Sequence, residues 1–592
     1  MENVKKIEDL QRENRSREMY DEIKALTKTF QPRLGVIKDE NGKTLTESLK
    51  IADRWKRYCE EIYSNGQPKN KVHHKEKEEA QEKEVSNLPP LKSEVEWAIK
   101  SLKDGKSPGC DNIHAEMIKA SGEEGIDVYH RLCTRIWEKG KWPSDWKRAI
   151  FIPLPKKGDL QLCSNYRTIS LISHASKILL KIIMKRIEIK LEEEVSNTQA
   201  GFRKKRGTRD HIFNLQMIIR KYCEVNTGLH TCFIDYSKAF DCVNHEQLWQ
   251  TLKEMNFHHR TVSLIRSLYE DQQSAVQLEC GMTDWFPVTK GVRQGCILSP
   301  HLFSLYTEGI MREVEHDPRS GAYDEPKMQG LPIRDLRYAD DTALLSTTVK
   351  GLENLIKSVK EHSAQKGLNL NVKKTKIMDT NKCKEKASIK IDGEEIERVD
   401  SFEYLGARIE ANGKTTPEIR RLAMATSKLK TMTNIWKGQC IDTKMRILKS
   451  IVFPTATYGC EAWIINKRDS TKITAFEMKC YRKILRLSWT EKVSNEEVLR
   501  KIGLKSPTLL QNVKKLKLGY FGHIKRHESL EKHILEAKVE GRKGRGRPMR
   551  RWNQDIQDWL GMTTTQASRL ARDRSLFRQK VREATSYEGS AD

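Results

Sequence analysis

The stretch DLRYADDTALLS, residues 335–346, sets two adjacent aspartates, Asp340 and Asp341, between two short apolar runs. Short apolar runs on both sides of a turn predict a β-hairpin, here with the acidic pair at its tip. Adjacent carboxylates repel each other unless a cation lies between them. The stretch therefore predicts a strand pair and, at its turn, a site for a metal ion.

A second acidic site lies upstream in LHTCFIDYSKAFDCV, residues 229–243. Its apolar residues predict a buried strand that ends at Asp235, and SKAFD predicts a turn or the start of a helix. Carboxylates from two neighbouring strand ends suit Mg²⁺, and two such ions about 3.5–4 Å apart support nucleotidyl transfer. The alternative is that Asp235 and Asp241 only cap a turn or a helix, which is the commoner role of such aspartates.

The rest of the chain predicts several subdomains around these two sites. A helix is expected from residue 93 to about 105, before the turn-rich segment KSPGCDNI at 106–113. Apolar strands at 149–155 and 168–172 bracket a loop that carries Lys156, Lys157 and Arg167, which can reach a triphosphate. Strands and helices alternate to about residue 405, and further helices are expected at 416–436, 442–453 and 470–486.

The composition indicates the kind of partner. The 592 residues are 32% charged, with a net charge of +27 from 108 Lys and Arg against 81 Asp and Glu. This charge favours a polyanion, although a merely soluble basic protein is the alternative. The start MENVKK does not resemble a signal peptide, and no apolar run is long enough to span a membrane. We therefore expect an intracellular protein, in the nucleus, the cytoplasm or both, with no membrane partner.

Several motifs, in order along the chain, resemble those of non-LTR (LINE-type) retrotransposon reverse transcriptases. They are KSPGCDNI (106–113), IPLPKKGD (152–159), NYRTISL (165–171), QAGFRKKRGTRD (199–210), FIDYSKAFD (233–241), GVRQGCILSPHLFSLY (291–306), YADD (338–341) and GLNLNVKKTK (367–376). Downstream, FEYLG (402–406), YGCEAW (458–463), YFGHIKR (520–526) and the GRGRP-to-Trp552 stretch are similar to the RTE-like branch of that group. The resemblance covers about residues 40–560.

The resemblance implies an α+β right-hand polymerase with fingers, palm and thumb, and an antiparallel palm sheet. The expected divisions are a helical N-terminal extension with a charged linker at 1–86, fingers at 87–230 and palm at 231–405. A helical thumb at 406–500 and a basic helical region at 501–592 follow. Within the first division, the charged stretch KVHHKEKEEAQEKE at 71–84 is the predicted linker.

The resemblance also assigns site residues. Asp235, Asp340 and Asp341 match the aspartates that bind two Mg²⁺ ions, which Mn²⁺ can replace, and Lys374 matches a lysine near the leaving pyrophosphate. Five residues match the nucleotide site: Lys156 and Arg167 for the triphosphate, Phe240 against a ribose 2′-hydroxyl, and Gln294 with Gly295 for the pocket loop. The alternatives are a core role for Phe240, a turn at Gly295, an ordinary exposed lysine at 374, and Lys157 in place of Lys156.

The basic stretch GRKGRGRPMRR, residues 541–551, is a second candidate contact for nucleic acid. Its cations can neutralise phosphates, and Trp552 with Trp559 can stack on unpaired bases. The predicted binding residues are Arg542, Lys543, Arg545, Arg547, Arg550, Arg551 and Trp552. The alternative is a solvated basic linker ahead of an amphipathic helix.

We expect an RNA-directed DNA polymerase that uses an RNA template, a DNA primer or nicked target DNA, and deoxynucleoside triphosphates. Elements of this group carry an endonuclease ahead of the polymerase, and only 86 residues precede the expected fingers, so we expect it to be lacking here. Two other hypotheses stay open. One is a catalytically idle nucleic-acid-binding remnant of such an element, and the other is an intron maturase, against which the RTE-like motifs argue.

Overall fold

The structure is a computed structural model that describes residues 6–7, 9–10, 13, 15–27, 35–64, 88–156, 158–380, 383, 388–414, 420–437, 440–544 and 548–586. These residues form two five-stranded sheets and many helices, so the predicted α+β class is confirmed. The predicted linker at 71–84 lies outside the described residues, as does Lys157.

A central sheet positions the predicted acidic residues. Its strands, in order across the sheet, are Asp335–Tyr338, Asp341–Ser346, His230–Ile234, Lys376–Asp379 and Glu397–Arg398. The first four pair antiparallel, but the last pair is parallel, so the prediction of an antiparallel sheet is wrong at this edge. The reason is the connection, in which the short hairpin Lys390–Ile391 and Glu394–Glu395 reverses the chain before the edge strand begins.

Alternating side chains of the central sheet face two different cores. Cys232, Ile234 and Leu344 pack into one core with the helices Ser299–His316 and Val349–Gln365. Phe233 and Ala343 pack into the other, with the helix Thr208–Glu224 and helices from the end of the chain. Because successive strand residues point to opposite faces, a sheet covered on both sides buries the side chains at every position. The strand His230–Ile234 is buried throughout for this reason.

The second sheet begins with the predicted hairpin of Arg148–Pro155 and Tyr166–Leu171, which pair antiparallel. The strand Gln273–Leu278 pairs parallel to the first of these, and Gly281–Met282 and Phe286–Pro287 complete the sheet. One core joins this sheet to the surrounding helices. These are Lys92–Lys100, Ala115–Ala120, Gly122–Lys139, Ser144–Lys147, His174–Glu194, His245–Glu254 and His259–Tyr269.

The first 64 residues are not a purely helical extension. A short hairpin, Ile37–Lys38 with Thr44–Leu45, interrupts the helical pattern because Asp39 and Gly42 form its turn. The helix Ser48–Tyr63 buries Trp55 in the core of the second sheet, and the earlier helix Ser16–Thr27 packs with residues beyond 420. The N-terminal segment is thus part of the main structure.

Residues after the central sheet are helical after one further hairpin. Ser401–Tyr404 pairs with Ala407–Glu410, so the predicted division at 405/406 falls in the turn of this hairpin. Among the described residues that follow, six α- or π-helical segments share a core: Arg420–Thr431, Ile441–Ile447, the π-helix Leu448–Val452, Phe453–Thr457, Lys467–Leu485 and Asn495–Ile502. A change from sheet to helices in this part of the chain was predicted.

The C-terminal helices cover one face of the central sheet. They are Leu509–Arg526, Leu530–Glu536, Trp552–Leu560, Thr564–Leu570 and Arg574–Thr585. A fully buried ion pair, Lys517 with Asp555, ties two of them together, and the Lys517 ammonium also donates to the Trp463 carbonyl at 2.6 Å. Within the described part of the chain, no helix is both long and apolar enough to cross a membrane.

Candidate active site

The hairpin tip at Ala339 and Asp340 is held by the buried side chain of Gln199. Ala339 has a φ of +59°, a conformation that L-residues rarely adopt. The Gln199 Oε1 accepts hydrogen bonds from the Ala339 N–H at 3.0 Å and the Gly201 N–H at 2.8 Å. A Cβ on Gly201 would lie 2.4 Å from the Ala339 nitrogen, so glycine is required there. The motif that begins at Gln199 therefore fixes the acidic turn, a role that the sequence did not reveal.

Asp235 lies beside the acidic pair because of strand register. Thr342 pairs with Ile234 across the antiparallel strands, so the next positions along, Asp341 and Asp235, face each other. The Asp235 carbonyl accepts from the Asn371 N–H at 2.8 Å, which brings the following loop to the site. In that loop the Lys374 Nζ lies 3.4 Å from the Asp235 Oδ2. The structure thus brings together four residues that the sequence had singled out.

The three carboxylates repel one another. Burial raises the pKa of Asp340, as does the charge of Asp235, while Arg167 opposes the rise. Desolvation by the surrounding protein, followed by the charges of Asp340 and Asp235, raises the pKa of Asp341 to about 6. A raised carboxyl pKa means that the negative charge is poorly compensated by the protein alone. This corner of the sheet therefore favours an added cation.

The donor set fits a hard divalent cation. Among the described residues, the buried Oδ2 of Asp235 has no hydrogen-bond partner, and its ion pair with Lys374 is long. Carboxylate oxygens are the ligands that Mg²⁺ prefers. In the part of the chain that is described, no three His, Cys, Asp or Glu side chains are already gathered tightly enough to hold an ion. The chemistry of the site fits Mg²⁺, whereas the side-chain arrangement is not a closed ligand shell.

Phe240 lies on the 3₁₀ helix Ala239–Asp241, just after Asp235 in the chain. Its half-buried ring stacks on Phe303, with centroids 4.3 Å apart, and meets the exposed Phe202 edge-on at 6.4 Å. The Phe240 carbonyl accepts from the Val292 N–H at 2.8 Å. One face of the Phe240 ring therefore packs against the core. Its position fits both interpretations, contact with the sugar of a nucleotide and packing in the core.

The loop with Gln294 and Gly295 links the second sheet to the 3₁₀ helix that carries Phe240. The Ser170 N–H donates to the Gln294 carbonyl at 2.6 Å, and the Gln294 Nε2 donates to the Asp241 Oδ1 at 3.0 Å. Gly295 has a φ of +122°, and a Cβ there would lie 2.7 Å from the Ser170 carbonyl oxygen. Glycine thus permits a close backbone approach, as well as a turn.

Lys156 and Arg167 both lie on the hairpin of the second sheet, and both are exposed. Burial, the nearby charge of Arg167 and that of Lys374 lower the pKa of Lys156, whereas Asp241 and Asp235 oppose this. Groups that influence each other's charge in this way lie close together. The cations predicted to bind a triphosphate therefore lie near the carboxylates predicted to bind metal.

Asp241 does not act as a helix cap, which was its alternative role. Its Oδ1 accepts from the Tyr63 hydroxyl at 2.8 Å as well as from Gln294. Tyr63 ends the N-terminal helix Ser48–Tyr63, far from any motif that the sequence had marked. Its contact with the site is long-range, so the only local signal was its place among the periodic aromatic residues of that helix.

The structure contradicts the base-stacking role predicted for Trp552. Its indole is buried against Phe213 and Phe521, and its Nε1–H donates to the Glu461 carbonyl at 2.8 Å. The cause is the sequence of its own helix, whose apolar face includes Ile556 and Leu560 and packs into the core behind the central sheet.

The predicted basic contact residues differ in their surroundings. Arg550 forms ion pairs with Asp555 and Asp558, and Arg551 pairs with Glu224. Arg542 and Lys543 are exposed, whereas Arg545 and Arg547 lie outside the described residues. Of the described cations in this stretch, Arg542 and Lys543 are thus best placed to meet a phosphate.

Sequence comparison identifies the segment that holds this site. Residues 154–409 match the family model described as reverse transcriptase (RNA-dependent DNA polymerase). These residues form a reverse-transcriptase domain. It includes each predicted metal and nucleotide residue from Lys156 to Lys374, while Tyr63 and the basic stretch lie outside it.

Relatives of the reverse-transcriptase domain come from mobile elements. A "Transposon TX1 uncharacterized 149 kDa protein" of Xenopus laevis is 30% identical over 50% of this chain and 22% of its own length. The "Probable RNA-directed DNA polymerase from transposon BS" of Drosophila melanogaster is 25% identical over 75% of this chain and 50% of its own. The "RNA-directed DNA polymerase from mobile element jockey" of the same species is 23% identical over 77% and 50%. The chain spans half the length of these relatives or less, and its resemblance to non-LTR retrotransposon enzymes is confirmed.

Proposed function

We propose that this chain is the RNA-directed DNA polymerase of a non-LTR retrotransposon, which extends a DNA 3′-hydroxyl on an RNA template. The observation that carries the proposal is the corner formed by Asp235, Asp340 and Asp341. Three carboxylates from adjacent strand ends repel one another within a reverse-transcriptase domain, with the triphosphate-binding candidates Lys156 and Arg167 opposite them.

In this proposal the central sheet is the palm, the second sheet with its helices is the fingers, and the helices from Arg420 to Ile502 are the thumb. The loop of Gln294 and Gly295, which contacts the second sheet and the 3₁₀ helix after Asp235, would then lie between fingers and palm. A nucleotide held at this junction would have its triphosphate near the fingers hairpin and its reacting phosphorus near the palm carboxylates.

Asp235, Asp340 and Asp341 would hold two Mg²⁺ ions, or Mn²⁺ in their place. When bound, such ions supply charge that lowers the pKa of the primer 3′-hydroxyl and stabilises the pyrophosphate that leaves. The protein's own part is to fix the carboxylates through strand register and through the support of the acidic turn by Gln199.

The remaining residues act on the nucleotide. Arg167 can grip a phosphate with two parallel hydrogen bonds, and Lys156 adds a second positive charge. Phe240 restricts the space at the sugar, and Lys374, next to Asp235, is placed to give a proton to the leaving pyrophosphate.

The proposed partners are an RNA template, a DNA primer or nicked target DNA, and deoxynucleoside triphosphates. The net charge of +27 supports a nucleic-acid partner, with Arg542 and Lys543 among the phosphate contacts. In an intact element this chemistry is target-primed reverse transcription, carried out by an intracellular ribonucleoprotein. The RTE-like branch remains a prediction from the downstream motifs.

Extension of a DNA primer on an RNA template with Mg²⁺ tests the proposal. The wild-type chain should synthesise DNA, Asp340→Asn should not, and both should bind RNA alike. Asp284→Asn is the matched control, because this carboxyl is 88% exposed and belongs to a surface ion pair with Lys56. RNA binding without synthesis by the wild type would contradict the proposal and favour the idle remnant.

A further inference from the structure

The end of the N-terminal helix Ser48–Tyr63 touches the proposed nucleotide pocket at several points. The Tyr63 hydroxyl donates to the Asp241 carboxylate at 2.8 Å and lies 2.6 Å from the Thr168 hydroxyl oxygen. The Tyr63 carbonyl accepts from the backbone N–H of Thr289 at 2.8 Å and of Lys290 at 3.2 Å. One buried residue thus binds three separate segments of the reverse-transcriptase domain.

Each of these three segments carries a residue assigned to the nucleotide. Thr168 follows Arg167 in the fingers hairpin, and Asp241 follows Phe240 on the 3₁₀ helix. The segment at Thr289 leads into the loop of Gln294, whose amide donates to the same Asp241 oxygen that Tyr63 binds. Asp241 is therefore a shared acceptor that links the N-terminal helix to the pocket loop.

The same helix also contacts the residues just before Phe240. The Lys238 ammonium lies 4.6 Å from the centre of the Tyr58 ring, one turn before Tyr63. Lys238 has a φ of +50° and begins the 3₁₀ helix. The turn that carries Phe240 is thus held at Lys238 by Tyr58 and at Asp241 by Tyr63.

Packing at Asp241 leaves little room for the turn to move. Gly291 has a φ of +84°, and a Cβ there would lie 2.7 Å from the Asp241 carbonyl oxygen. The Gly291 N–H donates to Val243 at 2.8 Å, and the ring of Tyr63 packs on Phe151 with centroids 5.0 Å apart. The Asp241 turn and the Tyr63 ring are thus both held by close packing.

We propose that Tyr63 is a positioning residue of the nucleotide pocket, which sets nucleotide affinity and sugar selectivity through Asp241 and Gln294. The inference rests on the proposed polymerase function and deepens it. It makes the N-terminal helix, which precedes the reverse-transcriptase domain, a working part of the polymerase. The hydrogen bonds of Tyr63 go to Asp241, Thr168 and the Thr289 segment, and not to the three carboxylates or to Lys156 and Arg167.

The test uses the full chain with an RNA template and a DNA primer that ends in a dideoxynucleotide, so that a bound nucleotide cannot be added. The Kd for dTTP opposite a template adenosine is measured for wild type and Tyr63→Phe. We expect about a tenfold weaker Kd in the variant, because a hydrogen bond to a charged acceptor is typically worth a factor of about ten or more. The ratio of the Kd values for UTP and dTTP should also fall.

Tyr166→Phe is the matched control. This buried tyrosine lies in the same fingers hairpin, and its hydroxyl donates to the Leu160 carbonyl at 2.8 Å rather than to the pocket. Like Tyr63→Phe, this variant removes one tyrosine hydroxyl, but it should leave the Kd for dTTP unchanged. On a primer with a free 3′-hydroxyl, Tyr63→Phe should raise KM about tenfold and leave kcat nearly unchanged.

A double variant tests whether Tyr63 affects nucleotide binding through Gln294. If Tyr63 acts through Gln294, Tyr63→Phe combined with Gln294→Ala should bind dTTP about as weakly as Gln294→Ala alone. Fully additive losses would overturn this path. A Kd for Tyr63→Phe equal to that of the wild type would overturn the inference.

The outcomes also separate this inference from the proposed function. If the wild type binds dTTP but does not extend a normal primer, the proposed function fails, and the Kd of Tyr63→Phe still decides the inference. If the wild type extends the primer and both proteins have equal Kd values, only the inference fails. Absence of dTTP binding by the wild type would overturn both.

Discussion

The two ends of the central sheet hold acidic residues in opposite surroundings. Towards one end, Asp335 is buried but accepts from the Arg337 Nε at 2.7 Å and from the Thr198 hydroxyl at 2.9 Å, while Arg337 also pairs with Glu308. At the other end, Asp235 has one lysine, Lys374, at 3.4 Å, and Arg167 lowers the pKa of Asp340 from a distance. The fold thus neutralises its structural carboxylates and leaves the others charged and repelling.

This difference separates two uses of the same residue type. Buried carboxylates that hold the structure together need a permanent partner, because an unpaired buried charge is costly. Carboxylates that bind a metal must lack such a partner, since the ion takes its place. The contrast therefore distinguishes candidate metal ligands from structural acids on one sheet.

The largest expected effect is at the end of the sheet that holds Asp235, Asp340 and Asp341, where the carboxylate charges are poorly compensated. Asp340→Asn should lower primer extension at least about 10³-fold, equivalent to about 4 kcal/mol in the activation barrier, because one carboxylate charge of the proposed metal site is lost. The melting temperature should stay the same or rise, since repulsion is relieved. Extension rates and thermal melts measure the two quantities, and a large loss of stability would erase the contrast between the ends.

The second effect is at the other end of the sheet, where Arg337 compensates the charges of Asp335 and Glu308. Arg337→Met leaves Glu308 buried without its cation and Asp335 with only the longer ion pair to Arg334 at 3.7 Å, so we expect the free energy of unfolding to fall by about 3–5 kcal/mol. Denaturant unfolding measures this change. Arg500→Met is the control, because its side chain is 80% exposed and its ion pair with Glu497 is long, so its effect should be small. A loss for Arg337→Met no larger than that of the control would show that Arg337 is not required for compensation.

A third effect comes from His230, at the opposite end of the strand that leads to Asp235. Burial opposes its charge, but the hydrogen bonds that the His230 ring donates to Asp379 and Cys383 raise the pKa of His230 to about 9. Because this pKa lies above the ordinary value of 6.5, the stabilisation is complete below pH 6.5 and is lost as the pH rises through about 9. The loss should be roughly 3 kcal/mol at most.

Unfolding measured between pH 6 and 10, in steps, tests the contribution of His230. His230→Gln should lack the part of the pH dependence that arises from this histidine, and Asp379→Asn should reduce it. Equal slopes for wild type and His230→Gln would show that this end of the sheet is not held by a charged histidine.

The smallest effect concerns Phe240, beside the uncompensated end. Phe240→Ala should raise ribonucleotide incorporation relative to deoxynucleotide incorporation about tenfold, because space opens at the sugar. Phe303→Leu, which alters the buried partner of the stack, should lower stability without this change in selectivity. If Phe240→Ala lowered only stability, its role would be that of a core residue.

The sequence by itself determined the strand ends that carry the aspartates. Apolar runs around Asp235 and around Asp340 and Asp341 predict the three strands, since burial on a sheet face requires that local pattern. The order of the motifs also predicted the reverse-transcriptase family, because motif order is visible in the sequence without knowledge of the fold. The hairpin of Arg148–Pro155 and Tyr166–Leu171 was predictable for the same reason.

Only the tertiary structure decided which distant residues meet. Tyr63 and Asp241 are 178 positions apart, and Gln199 supports a turn 140 positions away, so no local pattern could indicate either contact. The burial of Trp552 and the parallel edge of the sheet were likewise set by packing of whole elements. Periodicity reports which face of an element is apolar, whereas the choice of partner depends on long-range packing that the sequence pattern does not specify.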